Sequence, residues 1–86
     1  MNSLLSGTSA TLARPMADAV DVNFTKDSLV VILADGRAVS APLAWFPRLL
    51  KATSSQRRNW RLIGGGIGIH WEDVDEDISV RTLLAG

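Results

Sequence analysis

The sequence predicts an α+β domain in which a small antiparallel sheet, in the order β-β-β-α-β-β-α, packs against two or three short helices. Three observations carry this expectation. Strand-like alternation and β-branched runs dominate residues 18–41, helical spacing of apolar residues takes over after Pro42, and a second pair of short apolar runs flanks a glycine triplet at 64–66. Strands and helices are segregated along the chain, which favours an antiparallel α+β layout over a parallel doubly wound sheet.

The elements follow in order. Residues 1–15 are rich in Ser, Thr, Ala and Gly without periodicity, and are expected to form a flexible N-terminal arm; residues 16–86 form a single domain. Val20, Val22 and Phe24 alternate with Asp21 and Asn23, the period of a strand with one face buried. Lys26 and Asp27 make a turn, and Ser28 to Ala34 is the apolar run of a central strand. Asp35-Gly36 then suits a two-residue type I′ hairpin, in which both central residues take positive φ. The third strand, Arg37 to Ala41, ends or lies at an edge because Pro42 has no N–H to donate.

Leu43, Phe46, Leu49 and Leu50 recur at helical spacing, with Arg48 and Lys51 on the other side. Pro47 belongs in the first turn of that helix or divides it in two. Thr53 to Gln56 has the spacing of a capping box, and Ser54 or Ser55 equally suits the cap of a short helix ending near Asn59. Trp60 to Ile63 and Ile67 to Trp71 form a hairpin around Gly64-Gly65-Gly66. Ser79 is an N-cap for a terminal helix Val80 to Leu84, with the acids Glu76 and Asp77 placed in the loop before it, where the helix dipole favours them.

Composition limits the chemistry. The 86 residues are 47% apolar and 21% charged, the balance of a folded globular chain, and suffice for one core that buries roughly 60–65% of the unfolded surface. So small a domain gains from pairing with a copy of itself or with another protein. Without cysteine there are no disulfides, thiolate metal sites or cysteine nucleophiles. The N-terminal residues lack the basic start and the apolar run of about 7–15 residues that mark a secretory signal, and no stretch of about 20 apolar residues is present, so a cytoplasmic location is expected.

Nine basic and nine acidic side chains cancel, but unevenly along the chain. Arg48, Lys51, Arg57, Arg58 and Arg61 form a basic block free of acids, and Glu72, Asp73, Asp75, Glu76 and Asp77 an acidic block free of bases. Either the two blocks meet and neutralise one another, or each presents a charged face to a partner.

No motif supplies a catalytic, metal or cofactor site. Gly64 to Gly68 lacks the Lys-Ser/Thr of a phosphate loop and is better read as turn geometry. His70 is the only histidine and sits opposite Ile69 and Trp71 in strand alternation, as a hydrogen-bonded structural histidine does. The run 72–77 lacks the glycine and distal Glu of a calcium loop. The expectation is a protein that is no enzyme and takes no cofactor or metal. Trp45, Trp60 and Trp71 exceed what packing demands, and their N–H groups favour the margin of a core or an interface. Trp60 among Arg57, Arg58 and Arg61 also suits stacking on single-stranded nucleic acid, which makes a nucleic-acid-associated regulator using the 48–61 stretch the alternative.

Four segments resemble one family: Asp35-Gly36-Arg37, Val39 to Leu50 (Val-Ser-Ala-Pro-Leu-Ala-Trp-Phe-Pro-Arg-Leu-Leu), Gly65 to Trp71 (Gly-Gly-Ile-Gly-Ile-His-Trp), and Asp75 to Val80 with Leu83-Leu84. About two-thirds of the chain is similar to small bacterial proteins known as domain of unknown function 2442. The resemblance implies an α+β domain. It also implies members that stand alone or are joined to a helix-turn-helix domain, often encoded beside another small protein in a toxin and antitoxin-like arrangement. The chain departs from the pattern at Glu72, where relatives commonly carry Pro, which loosens the turn there. The function expected is thus a protein-interaction module, antitoxin-like, binding a small protein encoded nearby; its contact residues are expected at Trp45, Phe46, Arg48, Trp60, His70 and Trp71, with no membrane partner.

Overall fold

The computed structural model describes residues 17–85; the arm expected at 1–15 lies outside the described residues. The order of elements is β1 (Ala19–Phe24), β2 (Ser28–Leu33), β3 (Ala38–Pro42), a 3-10 turn (Leu43–Trp45), α1 (Pro47–Leu50), α2 (Ser54–Arg58), β4 (Trp60–Ile63), β5 (Gly68–Trp71), β6 (Glu76–Ser79) and α3 (Val80–Ala85). The α+β class stands, but the strands form two antiparallel three-stranded sheets, β1-β2-β3 and β4-β5-β6, where one was expected. Pro42 closes β3 and residues 43–58 carry the chain away. The second hairpin then takes its third strand from the acidic segment 76–79, paired to β5 through Ile69↔Ile78 and His70↔Asp77.

That sixth strand corrects the loop expected before α3. Asp77 and Glu76 have weak strand preference, but burial of Ile78 between them and the helix outweighs it. Asp75 makes the turn possible by adopting φ 52°, a left-handed conformation that Asp tolerates better than most residues.

Two further local expectations change. In the 35–36 hairpin only Gly36 has positive φ (93°); Gly36 N donates to Leu33 O and Leu33 N to Arg37 O. The turn is therefore centred on Ala34-Asp35 with Gly36 as a bulge, not type I′. In β1 a bulge between Ala19 and Asp21 shifts the alternation, so Ala19 and Val22 face the core and Val20 turns outward, contrary to the simple alternation of Val20, Val22 and Phe24.

The caps form as sequence chemistry dictates. Thr53 Oγ1 accepts from Gln56 N (3.1 Å) and Gln56 Oε1 accepts from Thr53 N (2.9 Å), so Thr53 is the cap of α2. Pro47 opens α1 and also separates it from the 3-10 turn, with Phe46 between. Ser79 Oγ accepts from Thr82 N at the start of α3 (3.4 Å).

One core joins both sheets. Leu29, Val31 and Leu33 of β2 meet Leu43, Leu49, Ile69, Trp71, Ile78 and Val80, and Phe24 stands edge-on to Trp71 with ring centroids 6.3 Å apart. The glycine turn between β4 and β5 adds a backbone tie between the sheets, Ala19 N donating to Gly66 O (2.7 Å), while the neighbouring Ile67 O accepts from Val80 N at the start of α3 (3.1 Å). Among the described residues no helix is long and apolar enough to cross a membrane.

Candidate functional site

The segment 43–50 is pinned from below and displays two apolar side chains above. Leu43 N donates to Asp27 O, Phe46 N to Leu43 O, and the side chains of Leu43 and Leu49 are buried. With those two turned inward, the helical geometry leaves Trp45 (59% exposed) and Leu50 (49%) facing solvent, while Phe46 packs partly against the core. Arg48 fixes the segment to the β5–β6 turn: its Nη1 donates to Asp75 O (2.5 Å) and lies 4.0 Å from Glu76 Oε1.

The outer face of the second sheet carries a polar row. Strand register sets Arg61 beside His70 and His70 beside Asp77. His70 Nδ1 lies 2.5 Å from Asp77 Oδ1 and Nε2 lies 3.1 Å from Glu72 Oε1, whose carboxylate also reaches Arg61 Nη2 at 3.6 Å. A neutral imidazole has one donor nitrogen and one acceptor, whereas two carboxylates call for two donors, so the site favours the imidazolium. The His70 pKa is accordingly raised, chiefly by the Asp77 hydrogen bond, with partial desolvation opposing it and Glu72 adding to the rise. Both ring nitrogens are thus engaged. Among the described residues no group of three or more His, Asp or Glu side chains is placed to hold a metal ion.

The third region surrounds Arg57. Its Nε and Nη2 donate to Leu49 O and Leu50 O (both 2.9 Å), closing the end of α1, and its guanidinium lies 5.6 Å from the centre of the Phe24 ring. The Arg57 carbonyl accepts the indole N–H of Trp71 (3.0 Å).

The six residues expected at a contact surface therefore separate. Trp45 and Arg48 are exposed, Phe46, Trp60 and His70 are half-buried, and Trp71 is fully buried. Trp71 is a core residue, because strand alternation sends it inward beside Ile69 while His70 points out, so the His70-Trp71 pair is not one surface. What links the two sequence blocks is Arg48, reaching from the Trp45 segment to the turn after Trp71.

The charge blocks do meet: Arg48 approaches Glu76, Arg61 approaches Glu72, and Asn59 Nδ2 donates to Asp73 Oδ2 (3.1 Å). Sequence reading missed the Arg57 staple and the His70–Asp77 pair. The first has no local signal. The second was legible only with β6 recognised as a strand, since seven residues separate the partners across its hairpin.

No curated protein matches the chain. A crystal structure of a protein of unknown function from Rhodospirillum rubrum is similar, with a TM-score of 0.70 and 27% identity over 83% of this chain and 88% of that one. The family model described as protein of unknown function, DUF2442, matches residues 19–86. With that match spanning every strand and helix from β1 onward, the chain belongs to the DUF2442 family.

Proposed function

We propose that this protein is a protein-interaction module, antitoxin-like in that it binds a small protein encoded nearby, and that the surface around Trp45 makes the contact. The observation that carries the reading is the 59% exposure of Trp45 in a segment whose neighbours Leu43 and Leu49 already anchor it. Among the described residues that indole is more exposed than packed, and exposed tryptophans on a rigid base are the residues on which protein interfaces concentrate their binding energy. Phe46 and the Arg48 bridge hold the base still. Leu50 extends the apolar area, with Lys51 at its edge.

The nucleic-acid alternative draws less support. Of the five bases in the 48–61 stretch, Arg48, Arg57 and Arg61 are bonded to acids or carbonyls of the chain itself, which leaves Lys51 and Arg58.

Purification of the tagged protein from its own host tests the reading. A stoichiometric small protein that elutes with the wild type is expected to be lost with Trp45→Ala and kept with Val20→Ser, both variants retaining the wild-type circular dichroism. Retention of the partner by Trp45→Ala, or an eluate holding only nucleic acid or a second copy of the chain, overturns it.

A further inference from the structure

Beyond the Trp45 surface, an open groove of about 560 Å³ runs between the outer edge of β1 and the wall made by α2 and Trp60. None of residues 43–50 lines it. Its volume falls in the range of roughly 300–1,000 Å³ typical of ligand sites.

Among the described residues the β1 wall is an unpaired strand edge with a defined phase. Thr25 N donates to Ser28 O, so Thr25 faces β2; residues alternate along an antiparallel edge, and Val22 and Phe24 therefore direct their N–H and C=O groups away from β2 and into the groove. The Val22 N–H is held by the Asp21 carboxylate (2.8 Å). Among the described residues the Phe24 N–H makes no turn, loop or side-chain hydrogen bond. The opposite wall adds donors: Arg58 forms no ion pair among the described residues, and the Trp60 indole N–H has no hydrogen-bond partner there.

Charge is graded along the groove. Arg57 lies over Phe24, with Arg58 next to it in sequence, whereas Asp21 stands three strand residues away, about 10 Å at ~3.3 Å per residue. One end is cationic and donor-rich, and the other carries a carboxylate.

We propose that this groove receives an extended peptide segment of a partner protein as an added strand on β1, with an Asp or Glu of that segment opposite Arg58 at the Phe24 end. The strand edge selects an extended backbone, and the unpaired cation selects the acidic side chain. Asp21 disfavours a second acid at the other end and so sets the direction in which the peptide lies.

The probe is a phage-displayed library of random dodecapeptides selected on the intact protein. Enriched peptides are expected to alternate apolar and polar residues with an acid at one end, and to slow hydrogen exchange at the Phe24 amide. Arg58→Glu is expected to weaken them by roughly tenfold or more, and Trp45→Ala to leave them unchanged. Because Trp45 lies outside the groove, failure here and failure of the Trp45 surface are read separately. Selection without acidic enrichment, a Phe24 amide that peptide leaves unprotected, or Arg58→Glu binding within about twofold of wild type overturns the proposal. So does oligothymidylate if it perturbs the same amides at lower concentration than the best peptide.

Discussion

Gly66→Ala tests the seam between the two sheets. Gly66 has φ 118°, and a Cβ placed there meets Ala19 O at 2.5 Å, Asp18 Cβ at 2.8 Å and Ala19 N at 3.0 Å. Two of those atoms are backbone, so no side-chain rotation relieves the overlap. Its neighbour Gly65 has φ 73° with nothing within 4 Å, and supplies the control for backbone conformation alone.

At Gly65 the left-handed penalty of about 1–2 kcal/mol is partly offset by the lower entropy of the unfolded alanine chain, about 0.4–1 kcal/mol, for a net loss near 1 kcal/mol. At Gly66, whose φ of 118° lies further from the left-handed well, the backbone penalty is at least as large, and β1 must also retreat. Losing the Ala19–Gly66 hydrogen bond costs about 1 kcal/mol, and disturbing the packing of buried Ala19 about another 1–2 kcal/mol. The expected loss is therefore about 3–4 kcal/mol, a large share of the roughly 5–15 kcal/mol available to such a domain. Urea unfolding followed by tryptophan fluorescence measures it, with the denaturant slope confirming an unchanged two-state transition. Equal loss within about 0.5 kcal/mol for Gly65→Ala and Gly66→Ala refutes the seam as a structural joint.

Other outcomes follow from single contacts. Trp71→Phe empties part of the core and orphans the Arg57 carbonyl, and is expected to lower stability by about 2–3 kcal/mol in the same titration. Thr53→Ala removes one half of the capping box and is expected to cost about 1 kcal/mol, with Thr53→Ser close to wild type, as read from thermal midpoints. Folding raises the His70 pKa, so the folded state holds that proton more tightly than the unfolded chain; the added stability is complete below the ordinary value of about 6.5 and fades as pH rises through the folded value. Urea midpoints taken across that window are expected to fall for the wild type, to fall less for Asp77→Asn, where Glu72 remains, and to stay level for His70→Gln. NMR titration of the His70 ring in Asp77→Asn is expected to show its pKa lowered toward the ordinary value, and an unmoved pKa contradicts the assignment.

Legibility in the sequence tracked the range of the deciding interaction. The capping box at Thr53 and Gln56, Pro47 at the start of α1, Pro42 at the end of β3 and the glycine hairpin at 64–66 each depend on residues within a few positions, and each was readable. The candidate surface was only half readable. Trp45 and Trp71 look alike as isolated aromatics, and alternation against Ile69 hinted that Trp71 and His70 part company. Which tryptophan is buried, however, depends on which element covers each face.

Sequence alone determined the α+β class, its strand hairpins and its short capped helices, because periodicity, turn residues and caps act locally on the backbone. Tertiary structure decided the rest. The bulge that turns Val20 outward answers to the tie between Ala19 and Gly66, forty-seven positions apart. The acidic segment becomes a strand because β5 offers it a ladder and Ile78 a buried place. The two charge blocks lie together because Arg48 and Arg61 flank the hairpin that carries the acids. In each case the deciding contact lies between segments whose own composition does not encode their partner, so its free energy enters only when the chain has closed on itself.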